Sequence, residues 1–245
     1  MGTGSAAAAV QWGHSAKLAV LDLDGTLYSG TLGVDLLNEL ARQKLFQPKA
    51  LEKALQILEA YVRGELGRDD LAAHLYGLYG EGILGLTQEQ VVQAAAVTWE
   101  RSKHRVFPFV GELLSTLSKR GYTTVLMTGS PTEIVSQFTR SYAFDHVYAA
   151  GFQLQEGRYN GRLQSSPAVT GQKRSMLQRL AKELDADLSA SLVLGDSEND
   201  FEMFDLVGVP IAMNVQGHLS LQFQSRGWKQ AAPNTLMPLL RQWIH

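Results

Sequence analysis

Apolar residues along this chain fall into two rhythms, and the change between them sets its organisation. The run Leu18-Ala19-Val20-Leu21 is short and continuous, and Asp22-Leu23-Asp24-Gly25-Thr26 follows it directly, a pattern that reads as a fully buried strand stopped by a glycine turn. From about residue 29 to residue 106 the apolar period lengthens to that of a helix. Leu36, Leu37, Leu40 and Ala41 predict one helix; Leu51, Leu55, Leu58 and Val62, after Pro48 at a helix start, predict a second. A third is expected from Asp69. A fourth is expected from Thr87, where Thr87 and Gln90 fit a capping box ahead of Val91, Ala95, Thr98 and Trp99. Strand signals are nearly missing in this stretch, which therefore predicts a helical insert.

Pro108 restarts the alternation of strands and helices. Val110, Leu113, Leu114 and Leu117 form a helical face closed by Gly121 as a C-cap. A strand over 123–127, a helix from Pro131 and a strand over 146–150 follow. A hairpin is expected over 153–163, turning near Gly157 to Gly161. Next come a helix carrying Leu177, Leu180, Ala181 and Leu184, a strand over 191–194, a short helix after Asn199, a strand over 209–212 and a closing helix over 236–244. This order predicts right-handed crossovers and a doubly wound, mostly parallel α/β sheet. The expected division is a core of 16–28 and 107–245, a helical insert over 29–106 and a disordered tail over 1–15. That tail is rich in Gly, Ala and Ser and lacks the basic n-region of a signal peptide.

Composition changes the picture mainly by exclusion. The chain has 245 residues, 45% of them hydrophobic and 19% charged, with a net charge of −2. That balance suits a globular protein with a sizeable core, and without a basic block nucleic acid is not an expected partner. Cysteine is absent, which removes disulfides and thiol chemistry and fits a reducing, cytoplasmic setting. No apolar run approaches the roughly 20 residues that cross a bilayer, so no membrane association is expected.

In a doubly wound sheet the chemistry lies beyond the carboxyl ends of the strands, and three such ends carry polar motifs. At the first, Asp22 and Asp24 can lean into one pocket, where they repel unless a cation lies between them or one holds a proton. The pair points to a hard divalent metal, a nucleophile with an acid/base partner, or both; an Asp-Gly turn that only caps a helix is the structural alternative. The second end runs Thr128-Gly129-Ser130-Pro131-Thr132-Glu133, with Ser130, Pro131 and Glu133 expected as N-cap, N1 and N3 of a helix. Such a helix start, with the Thr128 hydroxyl, is a ready phosphate site. At the third, Asp196 would face Asp22 and Asp24 across a shared cation, and Asp200 reads either as a ligand or as the capping partner of Ser197. Lys173, at the start of a helix, reads either as an ordinary solvent-exposed lysine or as a charge that neutralises a phosphate and the carboxylates around it.

The ordered set Asp-x-Asp-Gly-Thr, strand-Thr-Gly-Ser, Lys, Gly-Asp-Ser-x-Asn-Asp resembles the haloacid dehalogenase (HAD) superfamily over residues 17–27 and 107–213. The insert sits where that superfamily places a helical C1 cap. The Gly-Asp-Ser-Glu-Asn-Asp form and the Tyr159-Asn160-Gly161 hairpin resemble the phosphoserine phosphatase-like subgroup. The resemblance implies a Rossmann-like core and a Mg²⁺-dependent phosphomonoester hydrolase acting through an aspartyl-phosphate. By the same resemblance Asp22 is the nucleophile and Asp24 the acid/base. Mg²⁺ is held by Asp22, the Asp24 carbonyl and Asp196, with Asp200 a ligand or beside one. Thr128, Gly129, Lys173 and Asn199 meet the phosphoryl group. The implied substrate is a small phosphorylated metabolite, and the implied assembly a monomer or homodimer. Relatives of the dehalogenase type lack the second aspartate and transport ATPases carry threonine there, so Asp24 favours phosphatase or mutase chemistry. One departure stands out: phosphoserine phosphatases carry a glutamate for the substrate ammonium about where this chain has Thr31. Arg63, Arg68, Arg101 and Arg105 are the candidates for meeting a substrate carboxylate. A phosphotransferase or phosphomutase of the same fold, and a non-catalytic phosphate- or Mg²⁺-binding module, are the alternatives.

Overall fold

Leu18 and Val20 face one side of the first strand, β1 (Lys17–Leu21), and Ala19 and Leu21 the other, and all four are fully buried. A strand apolar on both faces must be covered on both, and that requirement sets the architecture. The computed structural model describes residues 15–66, 68–215 and 217–244. The tail expected over 1–15 lies outside the described residues except for Ser15. β1 is the centre of a seven-stranded sheet with β2 (Tyr122–Pro131), β3 (His146–Gln155), β4 (Arg158–Ser165), β5 (Leu192–Gly195), β6 (Val209–Met213) and β7 (Lys229–Ala231). The order is β4-β3-β2-β1-β5-β6-β7, parallel throughout except for the β3–β4 hairpin. The expected doubly wound α/β sheet is therefore present. β2 lies on one side of β1 and β5 on the other, so the winding reverses at β1 and opens a crevice beyond its carboxyl end.

Two apolar layers cover the sheet. Leu177 and Leu180 of α7 (Gln172–Glu183), Met203 and Phe204 of α8 (Glu198–Phe204) and Phe223 of α9 (Gly217–Ser225) pack on the face of Leu18 and Val20. The opposite layer is built from α5 (Val110–Lys119), α6 (Thr132–Ser141) and α10 (Leu236–Trp243), contributing Leu113, Phe138 and Leu240 among others.

Between β1 and α5 the chain forms four α-helices, as the apolar period predicts: α1 (Leu32–Arg42), α2 (Pro48–Val62), α3 (Arg68–Ile83) and α4 (Gln88–Ser102). The capping box at Thr87 and Gln90 is formed in both directions. The helices divide by what they touch. α1 and α4 join the core layer beside α6, where Trp99 meets Phe138 edge-on at 5.9 Å, while α2 and α3 pack on each other and α3 lies on β4. The α1–α4 seam is held by Glu39, whose buried carboxylate accepts from Arg42 at 2.6 and 2.9 Å, from Gln43 at 2.6 Å and from Arg101 at 3.2 Å. Hydrogen bonds from Arg42 hold the Glu39 carboxyl down at about 2. A carboxyl lowered by folding stabilises above its unfolded value near 4.5, and that contribution is lost as pH falls toward 2. Glu39→Gln is accordingly expected to cost about 1 kcal/mol at pH 7. The gap from wild type should close on acidification, as measured by urea midpoints at pH 7 and pH 3.

The second strand end departs from expectation. β2 continues to Pro131 instead of stopping near Met127, and α6 begins at Thr132 with no side-chain cap. Ser130 is not the N-cap because its hydroxyl is already engaged, accepting from Gly33 N–H at 2.9 Å and donating to Asp24 at 2.7 Å. Glu133 instead accepts from the Tyr159 hydroxyl at 2.5 Å. α9 and β7 are not among the expected elements; among the described side chains of the two, Phe223 and Ala231 are the buried ones.

Candidate active site

Three strand ends meet where the winding reverses. Asp22 follows β1 directly and its N–H donates to the Leu194 carbonyl of β5 at 2.9 Å, which pins the first acid to the neighbouring strand. Gly25 then turns the chain with φ +84°, and a Cβ there would lie 2.1 Å from a carboxylate oxygen of Asp196. The glycine therefore supplies both the left-handed turn and the closeness of the first and third motifs.

Asp24 points the other way along the edge. Its Oδ1 accepts from Leu32 N–H at 2.8 Å, and its Oδ2 accepts from the Ser130 hydroxyl at 2.7 Å and the Thr128 hydroxyl at 3.1 Å. Burial raises the Asp24 carboxyl above its ordinary value, against the pull of the Ser130, Leu32 and Thr128 donors. The result is a positioned carboxyl whose affinity for a proton is increased, as acid/base work requires.

Asp22 is 6% exposed, and its surroundings are more severe. Burial lifts its carboxyl well above the usual range; Lys173 lowers it, and Asp200, Asp196 and Asp24 raise it further. The Lys173 ammonium bridges Asp22 Oδ1 at 2.8 Å and Asp200 Oδ1 at 2.7 Å. Burial pulls that ammonium down, but the Asp200 and Asp22 charges outweigh it and hold it above the ordinary lysine value. Asp200 is fully buried and also accepts from the N–H of Asp196 and from the N–H and hydroxyl of Ser197, closing the capping box expected at α8.

Carboxylate oxygens of Asp22, Asp196 and Asp200 lie within 4.8 Å of one another. Three carboxylates against a single buried lysine leave excess negative charge, and an all-oxygen donor set of this spacing fits a hard divalent cation. The three aspartates are thus the group that could hold a metal.

These residues open on a cavity of about 520 Å³ between the strand ends and α1 to α3. Asp22, Asp24, Gly129, Lys173, Asp196 and Asn199 line it. Thr128 is fully buried behind the wall with its hydroxyl on Asp24, and Asp200 lies beneath the floor. The candidate arginines are elsewhere: Arg63 pairs with Glu65, Arg101 with Glu39, and Arg105 with Asp35 and the Ser29 carbonyl, and none lines the cavity. The Arg68 side chain lies outside the described residues. Two contributors escaped the sequence reading. Ser130 looked like a cap, though its place in the Thr-Gly-Ser run was a signal. Tyr76 gave none: 53 residues from its partner, it donates to the Gly129 carbonyl at 2.8 Å, and burial pushes its phenol up to about 12. A Cβ on Gly129 would lie 2.4 Å from that phenol oxygen, so the glycine admits the contact between α3 and the second strand end.

Known proteins resemble this chain in sequence and in fold. The phosphoserine phosphatase of Streptomyces coelicolor is 24% identical over 201 residues, spanning 82% of this chain and 44% of its own length. That of Haemophilus influenzae is 25% identical over 212 residues, spanning 85% of this chain and 61% of its own. The chain thus spans about half the length of these curated relatives. A solved structure of a Bordetella pertussis protein of unknown function superposes with a TM-score of 0.72 at 22% identity, covering 90% of this chain and 100% of that one, a likeness of fold. The sequence profile described as haloacid dehalogenase-like hydrolase matches residues 19–205. Because that span runs from β1 through α8 and takes in all three strand-end motifs, the chain belongs to the haloacid dehalogenase-like hydrolases.

Proposed function

We propose that this protein is a Mg²⁺-dependent phosphomonoester hydrolase, phosphoserine phosphatase-like in mechanism, that acts on a small organic phosphate through an aspartyl-phosphate on Asp22. The observation that carries the reading is the pairing on one cavity of two carboxyls with different partners: Asp22 held by the Lys173 ammonium, and Asp24 held by hydroxyl and amide donors. An ionised Asp22 attacks phosphorus while protonated Asp24 gives its proton to the leaving alkoxide. Asp24 then takes a proton from water as that water attacks the aspartyl-phosphate, releasing inorganic phosphate and restoring both acids. Lys173, the Gly129 backbone and Asn199 meet the phosphoryl oxygens, and Thr128 with Ser130 orients Asp24. Asp22, Asp196, Asp200 and the Asp24 carbonyl would hold Mg²⁺, whose charge offsets repulsion between the nucleophile and a phosphate dianion. In this reading 29–106 is a cap over a core of 16–28 and 107–245, and α2 with α3 excludes water from the cavity.

The test is phosphate release from p-nitrophenyl phosphate in Mg²⁺ or EDTA, with no acceptor alcohol added. Stoichiometric inorganic phosphate that falls at least about 100-fold in EDTA is expected. Release of p-nitrophenol only when an alcohol is supplied would replace hydrolysis by phosphotransfer.

A further inference from the structure

The cavity has a polar floor and an apolar roof. Its charged lining, among the described residues, consists of Asp22, Asp24 and Asp196 at the strand ends and Lys173 at the start of α7. Once a phosphoryl group occupies that floor, the alcohol it is bonded to must enter the space under α1, α2 and α3. That space is walled by Val34, Leu37, Leu58, Leu71 and Leu75. Thr31 and Tyr61 contribute only neutral hydroxyls there, and Tyr76 has spent its own on Gly129. The Tyr79 ring also lines the cavity, and its hydroxyl, buried without a hydrogen-bond partner, is neutral and pairs no charge. The apolar wall does not stop at the roof. A shallower depression of about 300 Å³, lined by Leu55, Leu58, Glu59, Val62 and Arg63, shares Leu58 with the main cavity, and Leu55 and Val62 are exposed at 46% and 83%.

Resting on the hydrolase reading above, we propose that the substrate is the phosphate monoester of an uncharged, apolar alcohol, with an alkyl or aryl body that lies along α1, α2 and α3. Among the described residues the roof offers no ion-pair partner, so a leaving group carrying an ammonium and a carboxylate would bury both charges there without one. An alkyl body gains with each methylene taken from water. The roof then selects by transfer from water, and the floor by phosphate chemistry.

The test is kcat/KM of the wild-type protein with Mg²⁺ across ethyl, propyl, butyl and hexyl phosphate, with O-phosphoserine set against propyl phosphate as its uncharged three-carbon counterpart. A rise of about fourfold per methylene is expected, that being 0.8 kcal/mol at 1.36 kcal/mol per tenfold. O-phosphoserine should be at least about 100-fold poorer than propyl phosphate. Leu75→Ala should reduce the hexyl-to-ethyl ratio several-fold. A series flat with length, or O-phosphoserine turned over better than propyl phosphate, overturns the proposal. If no ester is hydrolysed, the hydrolase reading fails, and calorimetric binding of the matching alkylphosphonates decides the inference by itself: affinity rising with chain length supports it, and affinity independent of length overturns it.

Discussion

Asp22→Asn is expected to abolish turnover, by at least about 10⁴-fold in kcat, while leaving the protein as stable as wild type or more so. The loss of activity follows from chemistry: an amide cannot form the acyl phosphate. The gain in stability follows from burial. Asp22 is almost fully covered, its carboxyl is lifted well above the usual range by that burial, and three further carboxylates raise it again. A carboxyl raised by folding binds its proton more tightly in the folded state than in the unfolded one. Stability is then lost as pH climbs above the unfolded value near 3.8, so at neutral pH the ionised acid opposes folding. The amide removes that opposition and keeps Lys173 paired with Asp200 at 2.7 Å. Thermal midpoints in EDTA should therefore favour the variant at pH 8 and converge toward pH 4. Activity above a hundredth of wild type would remove Asp22 from the nucleophile's place, and a midpoint well below wild type at pH 8 would show that the carboxylate is a net structural asset. The combination of lost activity with retained stability is what a site held against its own electrostatics produces.

The parts of this arrangement that were legible in the sequence are those whose causes are local. β1 announces itself because a strand buried on both faces has no polar alternate positions, and Asp22, Asp24 and Asp196 are visible as polar residues where such runs stop. The four insert helices follow from apolar spacing, and α4 from a capping box that the structure forms in full. Contacts across the fold left no such trace. Ser130 carries an ordinary capping signature, yet its hydroxyl reaches 106 positions back to Asp24, so tertiary demand overrides local preference and β2 stays extended to Pro131. Tyr76 closes α3 onto Gly129 with nothing in its neighbours to mark it. The arginines looked available for a substrate because exposed cations always do; Arg101 instead serves Glu39 in the α1–α4 seam. In α9 Leu219, Leu221 and Phe223 alternate with polar residues, the period of a strand and not of the helix that forms, and β7 is only three residues long.

Lys173→Met is expected to be the most destabilising single change at the site, lowering stability by about 3–5 kcal/mol and the thermal midpoint by roughly 10 °C in EDTA. The methionine keeps most of the stem's volume, so the loss isolates the charge. The ammonium is the one cation within hydrogen-bond reach of Asp22 and Asp200 among the described residues, and all three groups are buried. Without it two carboxylates face each other out of water with nothing between them, the arrangement in which breaking a buried pair costs most. A divalent cation held by Asp22, Asp196 and Asp200 supplies charge to the same cluster, whose oxygens lie within 4.8 Å of one another. Adding Mg²⁺ should therefore raise the midpoint of Lys173→Met by more than it raises wild type, since a ligand that binds only the folded state stabilises more the tighter it binds, as the logarithm of its affinity. Lys173→Met combined with Asp200→Asn should recover stability in EDTA and lose most of the Mg²⁺ response, because one change removes the repulsion and the ligand together. Scanning calorimetry of the three proteins with and without Mg²⁺ reads all of these shifts. A Lys173→Met variant as stable as wild type in EDTA would mean that the ammonium is not what holds the buried cluster together, and the role of opposing its charge would pass from the lysine to the metal.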